Sequence, residues 1–378
     1  MRGKSYIWGY DQYILGVFLL LLIFGLIVQL NISSVRSSMT FFYRQLLWVF
    51  LALAALWIGY KKVSLEELRK YVFPLIVFTV ILLIMVLILG TKINGSLRSF
   101  RIWKFNFQPS ILARVVLILY TAHLLDKQQH YIRDSRLGII LRHCNALLVI
   151  PGIILSLIVM ERHFTPLIIS SLTLLGLLFL SRVRLFIVLP LAGIFLMTCV
   201  LVINLGSKFR SERIESYKRY SLFFPNSHDA NTQNSHDDYQ VRQSLISLAN
   251  GSFFGTSPAR GTGKHYFLPE AKTDYVFSII GEEYGFFGAL IIMTLFGFLF
   301  LRAVIVCSRQ ESLFIKLAGL GLAMNIYFNA MINIGVAMSA LPSTGVTLPF
   351  ISYGGTSLVV NSFTVGLLLN ISGERKIL

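Results

Sequence analysis

Charged residues are scarce in this sequence, and this scarcity excludes an ordinary soluble protein. Only 13% of the 378 residues are Asp, Glu, Lys or Arg, whereas 55% are hydrophobic and the mean hydropathy is +0.71. A soluble domain of average composition carries about 25% charged residues. We therefore expect an integral membrane protein that forms a single polytopic domain over residues 1–378.

Cysteine and acidic residues are scarce as well. The three cysteines, Cys144, Cys199 and Cys307, are an odd number, and none lies in the long polar stretch 205–275, so we expect no disulfide framework. Lys and Arg number 34 against 17 Asp and Glu. The chain has no soluble basic domain that would bind nucleic acid, so orientation in a bilayer explains the basic surplus better.

The apolar runs predict an all-α membrane protein of about ten transmembrane helices. Seven runs are long enough to cross about 30 Å of hydrocarbon. Three further runs are shorter or interrupted, and each fits a span whose end is buried in protein. The seven long runs are 12–30, 43–60, 71–90, 184–204, 276–301, 313–337 and 355–371, and the three shorter ones are 111–125, 145–160 and 164–180.

Lys and Arg distinguish the two sides of the membrane, because short cytoplasmic loops concentrate them. With the N-terminus inside, half of these residues fall in cytoplasmic segments. The sequence therefore predicts cytoplasmic N- and C-termini and a large extracytoplasmic loop, residues 205–275, between spans seven and eight. Within that loop, residues 238–245 predict a short amphipathic helix on the membrane surface. A second outer loop, residues 338–355, is uncharged and rich in Pro and Gly, which predicts a re-entrant element packed in protein.

Three acidic residues border or enter the span at 276–301. Asp274 directly precedes its apolar residues, and Glu282 and Glu283 follow eight and nine residues later. At about 1.5 Å per helical residue, the pair lies roughly 12 Å deeper than Asp274. Ionisable groups at this depth are costly and indicate a functional site. For Asp274 the competing interpretation is a helix N-cap, which would satisfy free backbone N–H groups.

The predicted outer loop 91–110 breaks the charge rule. It contains Lys92, Arg98, Arg101 and Lys104 without any acidic residue, and Arg114 follows in the next span. One interpretation is that these side chains extend to lipid phosphates. The other is an anion site, since a pyrophosphate would need several cations. The residues alone support both equally.

Three segments carry a resemblance to a known family. They are LPEAKTDYVFSIIGEEYGFFG at 268–288, YQVRQSL at 239–245 and NIGVAMSALPSTGVTLPFISYGGTSL at 333–358. In sequence, order and spacing they resemble the SEDS family (shape, elongation, division and sporulation) of ten-span bacterial proteins. Thr347 stands where elongation members usually have proline, which favours a division member.

The resemblance implies an enzyme, a peptidoglycan glycosyltransferase that polymerises lipid II at the outer face of the bacterial cytoplasmic membrane during cell division. The alternatives are an elongation polymerase, a transporter of lipid-linked precursors and a non-catalytic division scaffold. The implied partners are lipid II, a class B penicillin-binding transpeptidase, other membrane proteins of the division or elongation apparatus, and membrane lipids. No cofactor is assigned, and a divalent cation, Mg²⁺ or Mn²⁺, is left open.

The resemblance also implies roles for individual residues. Asp274 matches the essential aspartate and is the candidate general base toward the acceptor 4-hydroxyl. Glu282 and Glu283 match a supporting acidic pair that positions Asp274, pairs with a buried Arg or holds a cation. The lone His163 gives no metal site. The predicted substrate-binding residues are Arg98, Arg101, Lys104, Gln108, Arg114, Tyr239, Gln243, Ser244, Lys264, Glu270, Ser352 and Tyr353, and for Tyr239, Gln243 and Ser244 a packing role is equally supported.

Four residues in and after the basic loop depart from the family pattern. Ser99 replaces the usual Trp, Asn106 a basic residue, Ile111 a Glu and Arg114 a Lys. Arg114 keeps the charge but not the shape of the lysine. These departures bear on the substrate contacts rather than on the fold.

Overall fold

The computed structural model describes residues 9–35, 39–93, 96–102, 105–133, 145–161, 164–181, 183, 188–190, 192–193, 197, 208–221, 236–264 and 268–373. In this part of the chain, seven helices are long and apolar enough to cross a membrane, and two shorter helices are also apolar. The predicted helical membrane class is therefore confirmed. The predicted span 184–204 falls largely outside the described residues, so the count of ten stays a prediction.

The helices follow the apolar runs, because a chain in lipid must satisfy its backbone polar groups internally. Within the described residues, a short sheet interrupts them between α4 and α5. The elements are α1 (Gln12–Val35), α2 (Met39–Lys61), α3 (Leu65–Lys70), α4 (Val72–Leu89), β1 (Thr91–Ile93), β2 (Ser96–Ile102), β3 (Phe105–Phe107), α5 (Pro109–Lys127), α6 (Gln129–Arg133), α7 (Asn145–Met160), α8 (Phe164–Leu180), α9 (Lys208–Tyr220), α10 (His236–Gly251), α11 (Val276–Ser308), α12 (Leu313–Ala337) and α13 (Gly355–Gly373).

Helices α5 and α12 form the centre of the bundle. The most apolar window of α5 is 83% buried and that of α12 is 78% buried, against 17% for α2. Helix α12 packs against α5, α8 and α11, while α13 packs along α2. Side chains on α5 and α12 therefore face protein rather than lipid, and polar groups there need partners within the protein.

The basic loop forms a three-stranded antiparallel sheet that the sequence did not predict. Strand β2 pairs with β1 on one side and with β3 on the other, and Arg101 lies opposite Asn106 in the second pairing. Helix α5 begins two residues after β3 with Pro109 at its first position, where a missing N–H costs nothing. The sheet thus leads directly into the central helix.

Helix α11 breaks at Gly285, and the end of the large loop satisfies the break. Gly285 has φ 68°, a left-handed conformation inside an otherwise α-helical element. The N–H of Phe286 donates to the carbonyl of Ser252 at 2.9 Å, and the N–H of Thr256 donates to the carbonyl of Glu282 at 2.9 Å. The backbone groups released by the break are therefore paired within the protein, as membrane depth requires.

We predict that Gly285→Ala destabilises the protein. Alanine adopts a positive φ at a cost, and its Cβ would lie 2.5 Å from the carbonyl oxygen of Phe253. The combined strain and displacement should cost about 2 kcal/mol or more. The measurement is the melting temperature of the purified protein. Gly297→Ala in the same helix is the control, because nothing lies within 4 Å of its added Cβ; equal melting of both variants would contradict the prediction.

Candidate active site

A cavity of about 450 Å³ opens at one end of the bundle. This is the end at which α2, α5, α8, α11 and α13 begin and α12 finishes. Asp274 and Glu270 supply carboxylates to its wall, and Arg44 and Arg114 supply guanidinium groups. Its volume lies within the range of about 300–1,000 Å³ found for small-molecule sites. The cavity therefore brings two carboxylates and two guanidinium groups together at one site.

Asp274 lies in a tight turn before α11. The carbonyl of Glu270 accepts hydrogen bonds from the N–H groups of Thr273 at 3.0 Å, Asp274 at 3.1 Å and Tyr275 at 3.3 Å. Tyr275, not Asp274, occupies the N-cap position of α11, and no side chain among the described residues caps this helix. The turn instead places Asp274 on the cavity wall.

Hydrogen bonds to three consecutive carbonyls, those of residues 272–274, fix the backbone of this turn. The first accepts from the N–H of Tyr353 at 2.8 Å and from Nε2 of Gln29 at 3.0 Å. The second accepts from Oγ of Ser352 at 2.5 Å, and the third from Nδ2 of Asn333 at 2.8 Å. We call this arrangement the carbonyl clamp. It anchors Asp274 to α1, to α12 and to the loop before α13.

The donors of the carbonyl clamp also hold the loop 338–354. Gln29 donates to the carbonyl of Ile351 at 3.2 Å, and Asn333 makes a short hydrogen bond to the carbonyl of Val346. Gly345, Thr347 and neighbouring residues of this loop line the cavity. The turn with Asp274 and the opposite wall of the cavity are therefore positioned by the same side chains. The re-entrant character of this loop stays a prediction.

Ser352 and Tyr353 were both predicted to bind substrate, and they occupy different places. Ser352 is 3% exposed, and its hydroxyl is directed to the turn rather than to the cavity. Tyr353 lines the cavity and contacts the ring of Phe41 edge-on. Burial raises the pKa of Tyr353, and the charge and hydrogen bond of Arg44 oppose this shift. The phenol is therefore neutral near pH 7 and can donate a hydrogen bond.

Glu282 binds the loop that follows α10. Its Oε1 accepts hydrogen bonds from the N–H of Thr262 at 2.9 Å and the hydroxyl of Thr262 at 3.0 Å, and its Oε2 accepts from the N–H of Gly263 at 3.0 Å. The carboxylate is buried. Charge-assisted bonds to backbone N–H groups stabilise a buried carboxylate. Glu282 thus holds the loop against α11.

Glu283 forms a buried ion pair with Lys264. Lys264 Nζ lies 2.7 Å from Glu283 Oε1, and both side chains are 0% exposed. Lys264 Nζ also donates to Oδ1 of Asn31 at 2.8 Å, and the amide of Asn31 makes a short hydrogen bond to Glu283. Of the three roles expected for the acidic pair, the contacts match structural pairing, with a lysine in place of the expected arginine. Lys264 therefore lies outside the cavity.

Two arginines face the cavity, and the sequence analysis missed one of them. Arg114 is 4% exposed and Nη1 donates to Oδ1 of Asn329 at 3.4 Å, while its Nε has no partner among the described residues. Arg44 lies at the cavity mouth beside Tyr353. Arg44 is the one charged residue in the apolar run 43–60, and a charge within a span is a signal that could have identified it.

The four departures from the family pattern all line this cavity. Ser99 and Asn106 come from the sheet, and Ile111 and Arg114 from the first turns of α5. Gln108, another predicted site residue, lies between them and also lines the cavity. This region therefore presents smaller and less charged side chains than the family pattern would supply.

The remaining predicted site residues lie elsewhere. Helix α10 confirms the helix predicted at 238–245, and its residues Tyr239, Gln243 and Ser244 do not line the cavity. The hydroxyl of Ser244 lies 2.6 Å from that of Ser278 and donates to the carbonyl of Ala337 at 2.7 Å, so it joins α10 to α11 and α12. Substrate contact by these residues stays a prediction.

Three predicted basic residues cannot be placed against the cavity. Arg98 and Arg101 belong to β2, but their side chains lie outside the described part of the chain, as does all of Lys104. His163 and the adjacent Arg162 also lie outside the described residues.

The fold and the cavity define a multi-pass helical membrane protein with a charged site at one end of its bundle. The chain matches the FtsW/RodA/SpoVE family, described as cell cycle proteins, over residues 11–377, and it belongs to this family.

Similar proteins cover the same length. The chain is 32% identical to a probable peptidoglycan glycosyltransferase FtsW of Coxiella burnetii, covering 100% of both chains. It is also 32% identical to the corresponding protein of Trichlorobacter lovleyi, covering 97% of this chain and 94% of the relative. Among solved structures, a chain of a peptidoglycan synthase complex superposes with a TM-score of 0.74 at 22% identity, covering 97% and 98% of the two chains. Thermus thermophilus RodA superposes with a TM-score of 0.69 at 22% identity, covering 97% of each chain.

We predict that removing one partner of the Lys264–Glu283 pair strongly destabilises the protein. Glu283→Gln would leave the buried ammonium of Lys264 without a countercharge, at a cost of about 3–5 kcal/mol. Glu215→Gln is the control, because Glu215 is 71% exposed and its ion pair with Arg219 spans 3.5 Å; exposed pairs contribute about 0–1 kcal/mol. Melting curves of both variants test this. A Glu283→Gln variant with the same melting temperature as wild type would refute the prediction.

Proposed function

We propose that this protein is a peptidoglycan glycosyltransferase that polymerises lipid II at the extracytoplasmic face of the bacterial cytoplasmic membrane during cell division. The observation that carries the proposal is Asp274 on the wall of a cavity that also contains Arg44 and Arg114. A base and two cations are the groups required to join sugars carried on a lipid diphosphate. Full-length similarity to FtsW relatives supports the same conclusion.

In the proposed reaction, Asp274 acts as the general base. Its carboxylate accepts the proton of the acceptor 4-hydroxyl while that oxygen attacks the anomeric carbon of the donor sugar. The new glycosidic bond forms as the bond from the anomeric carbon to the diphosphate breaks, so the configuration at that carbon is inverted. The carbonyl clamp fixes the backbone of Asp274, and a base held in place loses little freedom in the transition state.

The diphosphate leaves with the electron pair of the broken bond, and the two arginines stabilise its negative charge. Arg114 is suited to this role because it is buried and its Nε has no partner among the described residues. Guanidinium groups bind phosphate oxygens through paired hydrogen bonds. If a divalent cation takes part, Glu270 is the cavity carboxylate beside the proposed base that would hold it, and the ion would add positive charge for the leaving diphosphate.

The position of the cavity supports an extracytoplasmic site. Each cavity residue that belongs to a helix lies at most nine residues from the end of that helix at which the cavity opens. Nine helical residues span roughly 14 Å along the helix axis. The helix ends at the other side of the bundle carry the basic residues expected in the cytoplasm. These include Lys61, Lys62, Arg69, Lys70 and Lys127. A site open to one face fits a polymerase better than a transporter, whose site is expected near the midplane.

A class B penicillin-binding transpeptidase is the proposed partner, and it would cross-link the strands that this protein makes. The support is the fold shared with a chain of a peptidoglycan synthase complex. The exposed apolar side chains of the spans would contact membrane lipids and other membrane proteins of the division apparatus. The elongation and scaffold alternatives are not favoured, because the full-length sequence relatives are named FtsW.

We predict that Asp274→Asn and Asp274→Ala abolish polymerisation. Asparagine keeps the shape of the side chain but cannot accept a proton, so the rate should fall by at least about 100-fold, the lower range for general base catalysis. The measurement is glycan formation from labelled lipid II by the purified protein in complex with its cognate transpeptidase.

Glu311→Gln is the matched control for this experiment. Glu311 is an exposed acid in the loop between α11 and α12, at the end of the bundle away from the cavity. Its substitution should leave the rate unchanged. Equal product from wild type and Asp274→Asn, at matched recovery of the complex, would assign the base to another residue.

A further inference from the structure

Helix α13 begins at the wall of the cavity. The four residues at its start, Gly354, Gly355, Thr356 and Ser357, all line the cavity. The N–H of Leu358 donates to the carbonyl of Gly354 at 2.9 Å, which makes Gly354 the N-cap and the next three residues the first turn. The positive end of a 19-residue helix therefore borders the space in which the proposed reaction takes place.

The backbone N–H groups of residues 354–357 donate to no acceptor in the described part of the chain. At many helix starts, the side chain of the N-cap residue accepts hydrogen bonds from such groups. The N-cap here is Gly354, which has no side chain. Free N–H groups at a helix N-terminus favour an anion, because the donors and the helix dipole both attract negative charge.

The hydroxyl of Ser357 adds a fifth donor. Its Oγ accepts hydrogen bonds from Oγ1 of Thr347 at 3.1 Å and from Nδ2 of Asn361 at 3.1 Å. A hydroxyl oxygen has two lone pairs and one proton, so that of Ser357 can only donate further. Ser357 is 7% exposed, and its proton meets no acceptor among the described residues. An anionic ligand in the cavity would supply one.

A buried guanidinium group is joined to the same turn. Arg114 is 4% exposed and lines the cavity, and its Nε has no partner in the described ranges. Its Nη1 donates to Oδ1 of Asn329 at 3.4 Å, and Nδ2 of Asn329 donates to the carbonyl of Thr347 at 3.4 Å. Thr347 in turn donates to Ser357. A buried cationic donor without a partner therefore points, independently of the helix start, to an anionic ligand.

We propose that the first turn of α13 and Arg114 form a binding site for the diphosphate of the lipid-linked donor sugar. That the ligand is this diphosphate rests on the proposed function. The N–H groups, the hydroxyl and the guanidinium offer more donors than the about four lone-pair positions of a carboxylate can use. A diphosphate offers more oxygens. Because its negative charge increases as the bond to the anomeric carbon breaks, fixed donors here also stabilise the transition state.

The proposed site is adjacent to the proposed base. The carbonyl clamp bonds the carbonyls of residues 272 and 273 to Tyr353 and Ser352, the two residues that precede Gly354. Asp274 and the first turn of α13 are therefore held on neighbouring segments of the cavity wall. A donor bound through its diphosphate would have its anomeric carbon close to the acceptor hydroxyl that Asp274 deprotonates.

Substitutions of Gly354 test the site. Its φ lies outside the left-handed region, and an added Cβ would lie 3.2 Å from Cγ2 of Thr347, so a side chain fits after a small shift of that methyl group. Gly354→Asp provides a carboxylate that accepts from the N–H groups of Thr356 or Ser357 and adds a negative charge. Gly354→Asn caps the same groups without the charge. Gly354→Ala carries the Cβ alone and is the reference for both.

The first readout is the rise in melting temperature that inorganic pyrophosphate causes in the purified protein, which reports binding without catalysis. We expect the pyrophosphate concentration for a given rise to be at least about tenfold higher in Gly354→Asp than in Gly354→Ala, and at least about threefold higher in Gly354→Asn. Without pyrophosphate, both capped variants should melt at or above the temperature of Gly354→Ala, because a capping side chain stabilises a helix.

The second readout is kcat/KM for lipid II, which should fall by similar factors relative to Gly354→Ala. Ser312→Asp is the control for the added charge. It places an acid at the N-cap of α12, at the other end of the bundle, and should match wild type in both readouts. A purely structural role for the start of α13 predicts instead that the capped variants bind pyrophosphate at least as well as Gly354→Ala.

Three results would overturn the proposal. The first is a wild-type protein that does not respond to pyrophosphate, or an equal response in Gly354→Asp and Gly354→Ala. The second is a loss in Gly354→Asp with none in Gly354→Asn, which would assign binding to the charge of Arg114 without the N–H groups. The third is a weakened pyrophosphate response with unchanged kcat/KM, which would assign the site to free phosphate anions. A protein that makes no glycan would contradict the proposed function, while the pyrophosphate response would still test the anion site.

Discussion

Hydrogen bonds to the three consecutive carbonyls of residues 272–274 hold the turn on which the proposed chemistry depends. Their donors come from α1, from α12 and from the loop before α13, three regions far apart in the sequence. A typical hydrogen bond contributes about 1 kcal/mol, and a buried carbonyl left without one costs about 1–3 kcal/mol. The turn can therefore take this form only after these regions have packed, so correct folding of the bundle also builds the site.

The acids of this region divide into two kinds by their surroundings. Glu282 binds backbone N–H groups, and Glu283 forms an ion pair with Lys264, so both are satisfied inside the protein. They fasten the loop after α10 to the first turns of α11, directly below the turn that carries Asp274. Asp274 and Glu270 instead border the cavity. A buried and fully paired acid indicates a structural role, whereas an acid that lines a cavity indicates a role in binding or catalysis.

The sequence was sufficient to predict the helical membrane class, and it singled out Asp274, which lines the cavity. Long apolar runs and an acid at a span boundary are visible in the sequence because both have direct physical causes. It did not predict the sheet at 91–107. Strands β1 and β3 have three residues each, too few to show a period, and the seven residues of β2, SLRSFRI, do not alternate strictly between polar and apolar. The pairing of Lys264 with Glu283 was not predicted, because the two residues lie on different elements that come into contact only in the folded protein. Arg44 shows the opposite case, a charge within an apolar run that was visible and was overlooked.

The carbonyl clamp positions Asp274 for the proposed chemistry, and Asn333 is the donor whose removal tests this role. Asn333→Ala removes the donor to the carbonyls of Asp274 and Val346. Asn370→Ala removes a bond of the same kind, from Asn370 to the carbonyl of Tyr60, at the other end of the bundle. The measurement is kcat and KM for lipid II polymerisation, together with the melting temperature. We expect kcat to fall at least about tenfold in Asn333→Ala with KM nearly unchanged, a loss of more than about 1.4 kcal/mol of transition-state stabilisation. Asn370→Ala should lower the melting temperature and keep the wild-type kcat. Equal kcat values in the two variants would contradict it.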